Sequence, residues 1–223
     1  MTQEAVGVPV SDSQTHTHSP TQPENEFART GLAGPRGADR HVPGEPGVWI
    51  LLLGDLMIFA ALFSIFLLRR GAQHGVFAQS QQHLNRTLGF TNTIVLLTSS
   101  LMLVLAVRSM RRDQLRRFVA PLALSAATLG LCFVGVKALE YHALLSSGFG
   151  PGTDQFFMYY FVLTGLHLGH IIIGLGVLTA LWRLAKQPAI TATHIAFFEG
   201  GACFWHMVDL LWIMIFALVF LVR

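Results

Sequence analysis

Charge is scarce in this sequence. Asp, Glu, Lys and Arg make up 12% of its 223 residues, where a water-soluble domain averages about 25%, so the composition points away from a soluble core and toward a membrane. Cysteine is scarcer still. Cys132 and Cys203 both lie within apolar stretches, with no C-x-x-C and no His/Cys ligand spacing, which argues against a disulfide framework and a thiolate-bound metal centre. The excess of basic over acidic residues is slight. The net charge is only +3, and Lys and Arg gather beside apolar runs, where they read as a topology signal and not as a nucleic-acid surface. What the chain does have is apolar residues, 52% of the total, with a mean hydropathy of +0.54.

Residues 1–46 are rich in Pro, Ser, Thr, Gly and His ("SDSQTHTHSPTQPENE"); such a segment cannot bury a core and is expected to be a disordered tail. It has no basic start leading directly into an apolar region, so no cleaved signal peptide is expected there. Beyond it, five runs (about 48–68, 90–107, 119–139, 156–182 and 195–222) are long enough to cross roughly 30 Å of hydrocarbon as helices. They exceed the length of strands, and lipid admits only helices or closed barrels. An all-α, polytopic bundle of five transmembrane helices is therefore expected over residues 47–223. Lys and Arg divide ten to four between the two sides of such a bundle, with Lys137 left within a span end. That bias predicts a plasma-membrane (inner-membrane) protein with a cytoplasmic amino terminus and an exported carboxyl terminus.

Ionisable residues inside these runs cost roughly 2.5–3.5 kcal/mol each at the centre of an inserted helix, so they must face protein. In the fifth run, at 100° per residue, His206 lies about 20° and Asp209 about 80° from Glu199. These three form one stripe, readable as a hydrogen-bonded packing seam or as a proton or ligand site. Asp55 in "ILLLGDLMIF" falls in the same half of the membrane as Glu199, and the two acids are the candidates for proton exchange. His167 and His170 share a face of the fourth run and read as interhelical hydrogen-bonding groups, with haem ligation as the competing use. Gly165 and Gly169 form a G-x-x-x-G pair expected to let another helix approach closely. Lys137 and Glu140, three apart, are expected to pair locally near the outer interface. No residue is a candidate for catalysis, and none for holding a metal.

Five segments, taken in order, resemble the signature segments of subunit III of haem-copper terminal oxidases, the cytochrome c oxidase subunit 3 family. They are "GEPGVWILLLGDLMIFAALF", "NTIVLLTSS", "ALEYHALL", "TGLHLGHIIIGLG" and "FFEGGACFWHMVDLLWIMIF". The resemblance runs from His41 onward. It is similar to the five-span form of the quinol-oxidase and nitric-oxide-reductase-associated branches, with "PGEPG" and "FWHMVDLLW" leaning toward the latter. It implies a subunit without haem or metal that packs on the catalytic subunit, binds phospholipid between its helices and helps sustain proton uptake in aerobic or nitric-oxide electron transport. Asp55, Glu140, His167, Glu199, His206 and Asp209 stand at the family's buried polar positions. Two departures are visible: cytochrome-c-oxidase members commonly carry Glu where Asp55 stands and Gln where Lys137 stands. Two other classes draw on the same residues. A b-type cytochrome would use His167, His170 or His206, and a proton-coupled transporter would be built around Asp55 and Glu199, although neither internal repeats nor broken helices are found.

Overall fold

The computed structural model describes residues 46–188 and 191–222. The tail expected over residues 1–46 lies outside them, except for Pro46. Among the described residues every regular element is helical. The long helices are α1 (Pro46–Ala72), α3 (Arg86–Met110), α4 (Val119–Ser146), α5 (Gln155–Ala185) and α6 (Ala192–Phe216), with a short α2 (His74–Ser80) between the first two. The five long ones are each apolar enough over a sufficient length to cross a membrane, which is the all-α polytopic bundle expected. Hydropathy does not reveal α2, because seven residues of mixed polarity carry no spanning signal.

Local chemistry sets the helix ends. Asn85 caps α3, its Oδ1 accepting from the Thr87 and Leu88 N–H groups, two of the donors that the first turn leaves free. Asp154 caps α5 with one carboxylate oxygen, accepting from Phe157 N–H at 2.9 Å, and accepts with the other from Ser80 Oγ at 2.5 Å. One side chain thus starts α5 and ties it to the end of α2. Gly148 follows the end of α4 at φ +85°, a left-handed conformation that favours glycine. It lets Phe149 N–H reach back to the Leu144 carbonyl at 2.9 Å, the bond that closes a Schellman motif. At the far end of α6 a π-turn (Ala217–Leu221) is clamped from outside. Arg70 donates to the Leu218 and Val222 carbonyls, and Gln81 to those of Val219 and Val222.

Helices α3, α4, α5 and α6 pack in a closed ring, each against the next, and α1 lies outside it against α5 and α6. The central element is α6: 67% of its spanning segment is buried within the chain, against 22% for α1. Its Trp205, fully buried, lies between two glycines of neighbouring helices. A Cβ at Gly130 on α4, or at Gly174 on α5, would come within 2.7 Å of the indole ring. Gly201 similarly admits Val177, which a Cβ there would meet at 2.8 Å.

Within the chain no helix approaches closely at the expected G-x-x-x-G pair. A Cβ at Gly169 meets nothing within 4 Å, and one at Gly165 meets only Tyr141 Oη at 3.9 Å. The close approach of α5 to its neighbours runs instead through Gly174. Gly174→Ala should therefore destabilise the purified chain by about 1–3 kcal/mol through overpacking, despite the better helix propensity of Ala. Gly169→Ala should leave the thermal unfolding midpoint in mild detergent unchanged or raised; a larger loss from Gly169→Ala than from Gly174→Ala would reverse the assignment.

Candidate functional site

The polar side chains inside the bundle fall into three groups, each between a different pair of helices. The first joins α1 to α5. His170 Nε2 lies 3.4 Å from Asp55 Oδ2, while its Nδ1 lies 2.9 Å from the Leu166 carbonyl. A carbonyl only accepts, so Nδ1 carries a proton and Nε2 faces the carboxyl group. Neither side chain is sealed: Asp55 keeps 19% of its exposure and His170 14%. A turn away, an apolar wedge of about 280 Å³ opens between α1, α5 and α6, lined in part by Leu51, Ile173, Phe197 and Phe204.

The second group is the α6 stripe, which faces α3. Glu199 is buried and forms an ion pair with Arg111, the exposed residue that ends α3. His206 Nδ1 meets Ser100 Oγ at 2.5 Å, and the buried Asp209 lies one turn on, beside the same hydroxyl. The stripe does face protein, with Glu199 answering to Arg111 and with His206 and Asp209 both beside Ser100. Asp55 and Glu199 are not brought together: one answers to α5 and the other to α3.

The third group joins α4 to α5: the expected local pair of Lys137 and Glu140 forms, but buried within the bundle and not at its outer interface. α4 continues to Ser146, so Lys137 and Glu140 lie well inside the helix and are 1% and 4% exposed. Lys137 Nζ donates to Glu140 Oε2 at 2.9 Å and to Tyr160 Oη at 3.1 Å, and Tyr160 Oη donates to Glu140 Oε1 at 2.9 Å. The ammonium also faces the Trp212 ring at 4.9 Å, a cation–π contact that strengthens when desolvated. Beside it, Thr164 donates to the Tyr160 carbonyl at 2.5 Å, which makes Tyr141 the donor to Thr164 Oγ1 at 2.6 Å.

His167 does not share the role of His170. Its ring packs against Phe133 and Trp212, and neither ring nitrogen has a hydrogen-bond partner among the described residues. The two histidines expected on one face thus turn to different neighbours, His167 into the ring of four helices and His170 toward α1. Among the described residues no three His, Cys, Asp or Glu side chains converge as a metal would require. Sequence reasoning did not assign a partner role to Arg111 or Tyr160, each an ordinary residue at its own position. Only Tyr160 carried a signal, since a tyrosine hydroxyl deep in an apolar run must find a partner.

The Lys137 cluster gives a direct test of buried pairing. Lys137→Met should lower stability in detergent by about 3–5 kcal/mol, because it leaves a carboxylate buried without its cation. Adding Glu140→Gln should recover a large part of that loss. Additive losses from the two substitutions would show that the ion pair is not the unit of stability.

Comparison with known proteins bears on the whole bundle. A family profile described as cytochrome c oxidase subunit III matches residues 44–222. The cytochrome c oxidase subunit 3 of Alkalihalophilus pseudofirmus is 33% identical over 177 residues, covering 78% of this chain and 84% of that protein. The quinol oxidase subunit 3 of Bacillus subtilis is 31% identical over 176 residues, covering 78% and 85%. The cytochrome bo(3) ubiquinol oxidase subunit 3 of Pseudomonas aeruginosa is 30% identical over 176 residues, covering 78% and 83%. With the profile spanning all five long helices and relatives similar over most of their own length, the chain belongs to the cytochrome c oxidase subunit III family.

Proposed function

We propose that this chain is the non-catalytic subunit III of a respiratory haem-copper oxidase, where it stabilises the catalytic subunit and supports proton uptake through Asp55 and His170. The observation that carries the proton role is the Asp55–His170 contact at 3.4 Å. It joins a carboxyl to an imidazole whose other nitrogen is held by a backbone carbonyl, on the helix pair least enclosed by the bundle. Such a pair holds a proton at fixed geometry and can pass it to a neighbour. The apolar wedge beside it suits a phospholipid acyl chain. Glu199, tied to Arg111, is assigned to holding α6 against the end of α3. In this reading the chain binds no haem or metal of its own and lies in the plasma membrane with its amino terminus cytoplasmic. The relatives include subunits of both cytochrome c and quinol oxidases, and "PGEPG" and "FWHMVDLLW" favour an accessory role in a nitric-oxide-reducing complex.

The competing b-type cytochrome needs two histidines on one ligand site, and His167 and His170 face different helices. The complex purified in mild detergent should contain a haem-bearing partner, and this chain separated from it should show no Soret band. Turnover of that complex with oxygen and with nitric oxide identifies the acceptor.

Asp55→Asn keeps the shape and removes the titrating group, whereas Asp55→Leu also removes hydrogen bonding. The Asn variant should assemble normally yet turn over severalfold more slowly, or inactivate sooner, above about pH 8, where protons are scarce. Equal turnover of Asn and wild type across about pH 6.5–9, a range wide enough to cross the titration of an imidazole, would leave Asp55 a packing residue. Reporter fusions after Lys186 and after Arg223 should score on opposite sides of the membrane, the first cytoplasmic and the second exported. A reversed result would overturn the orientation.

A further inference from the structure

Hydroxyl groups on the outer faces of the bundle follow one pattern. Ser64, Thr98, Ser125 and Thr179 each donate to the carbonyl four residues back in their own helix, and Thr128 to the one three back, at 2.7–2.9 Å. Lipid can cover such faces, because no polar group is left to satisfy. One half-buried place is different. Ser100 and His206 bond to each other across α3 and α6, and Nε2 of the half-buried His206 has no partner among the described residues. Ser100 lies about 15 Å from the Met110 end of α3 and His206 about 21 Å from the start of α6, at 1.5 Å per residue. Both are thus at the depth of acyl chains.

Below them runs a groove of about 250 Å³ lined by Val104, Val107, Cys203 and Ala202, and it opens between Arg108 and Arg111. Glu199 takes up Arg111, while Arg108 is exposed with no ion-pair partner among the described residues. An acyl chain would offer His206 nothing to bond. A second copy seated by two-fold symmetry would set Arg108 against Arg108. A helix of another protein meets both demands.

We propose that this α3–α6 groove is where a transmembrane helix of the catalytic subunit docks, bringing a hydrogen-bonding side chain to His206 Nε2 and an acidic residue to Arg108. The proposal rests on the oxidase-subunit reading above and adds to it the face by which the chain is held. It also gives a use to the half-exposed histidine that neither the packing of the bundle nor the Asp55–His170 pair requires.

Photocrosslinking in the purified complex tests it. p-Benzoylphenylalanine in place of Val104 or Val107, which line the groove, should yield adducts with the haem-bearing subunit. In place of Met57 on α1 or Leu131 on α4, both strongly exposed, it should yield severalfold less. Adducts mainly from Met57 or Leu131 would overturn the proposal, as would dimers of this chain or lipid adducts alone from Val104 and Val107. In parallel, His206→Leu should reduce the haem retained per copy of this chain severalfold after detergent washing, while His206→Asn retains more. The unfolding midpoint of each isolated variant separates loss of docking from loss of fold, and undiminished haem in a folded His206→Leu variant counts against the site. Absence of any haem-bearing partner from the wild-type preparation would sink the oxidase-subunit reading itself. A partner crosslinked only elsewhere sinks the docking face alone.

Discussion

The bundle depends on the insertion of Trp205 between α4 and α5. An indole ring can lie flat between two helices only where both lack a side chain, and Gly130 and Gly174 provide that gap. In lipid there is little hydrophobic force between helices, so close van der Waals contact of this kind decides which faces meet. With Trp205 directed at α4 and α5, the rotation of α6 about its axis is set. Glu199 and His206, about 100–120° round the helix from Trp205, then turn to α3, where they meet Arg111 and Ser100.

Polar groups in this chain are handled in two ways, and the difference separates structure from function. Outward-facing hydroxyls are returned to their own helix and ask nothing of the surroundings. Lys137, Glu140 and Tyr160 satisfy one another completely across α4 and α5, with an aromatic ring beside the ammonium. A buried pair like this gives little net stability compared with apolar packing, but losing one partner is costly, so it locks the register of the two helices. Asp55–His170 and Ser100–His206 are neither returned nor sealed. They are cross-helix contacts at half-buried positions, which is where exchange with protons or with a partner chain can occur.

The position of α1 matters to both. It stands outside the ring, makes most of its surface available to lipid, and meets α5 through the Asp55–His170 contact beside an apolar wedge. An acid carried by a central helix would be walled off by its neighbours; carried by α1, it stays within reach of the membrane and of whatever lies against the bundle. The Arg70 and Gln81 clamp on the carbonyls beyond the end of α6 holds the other end of α1 and its connector in place, while the wedge is lined from the first turns of α1, by Val48 and Leu51.

Hydropathy alone determined that this chain is a bundle of five spanning helices, because the cost of an unpaired backbone in lipid leaves few alternatives for apolar runs of that length. It also showed that Asp55, Glu199, His206 and Asp209 must face protein, since the cost of a charge in hydrocarbon is a property of the residue and its depth. Which protein they face was decided only by tertiary structure. Helical spacing relates residues along one helix, so it placed Glu199 and His206 on a stripe but could not supply Arg111 or Ser100, which come from another segment. The same limit applies to the glycines: G-x-x-x-G at 165 and 169 is a permissive pattern on any helix, whereas Gly130 and Gly174 become contact points only when a tryptophan from a third helix arrives between them. Pairing across helices depends on their rotation and offset, and those are fixed by side-chain shapes that meet only in the folded bundle.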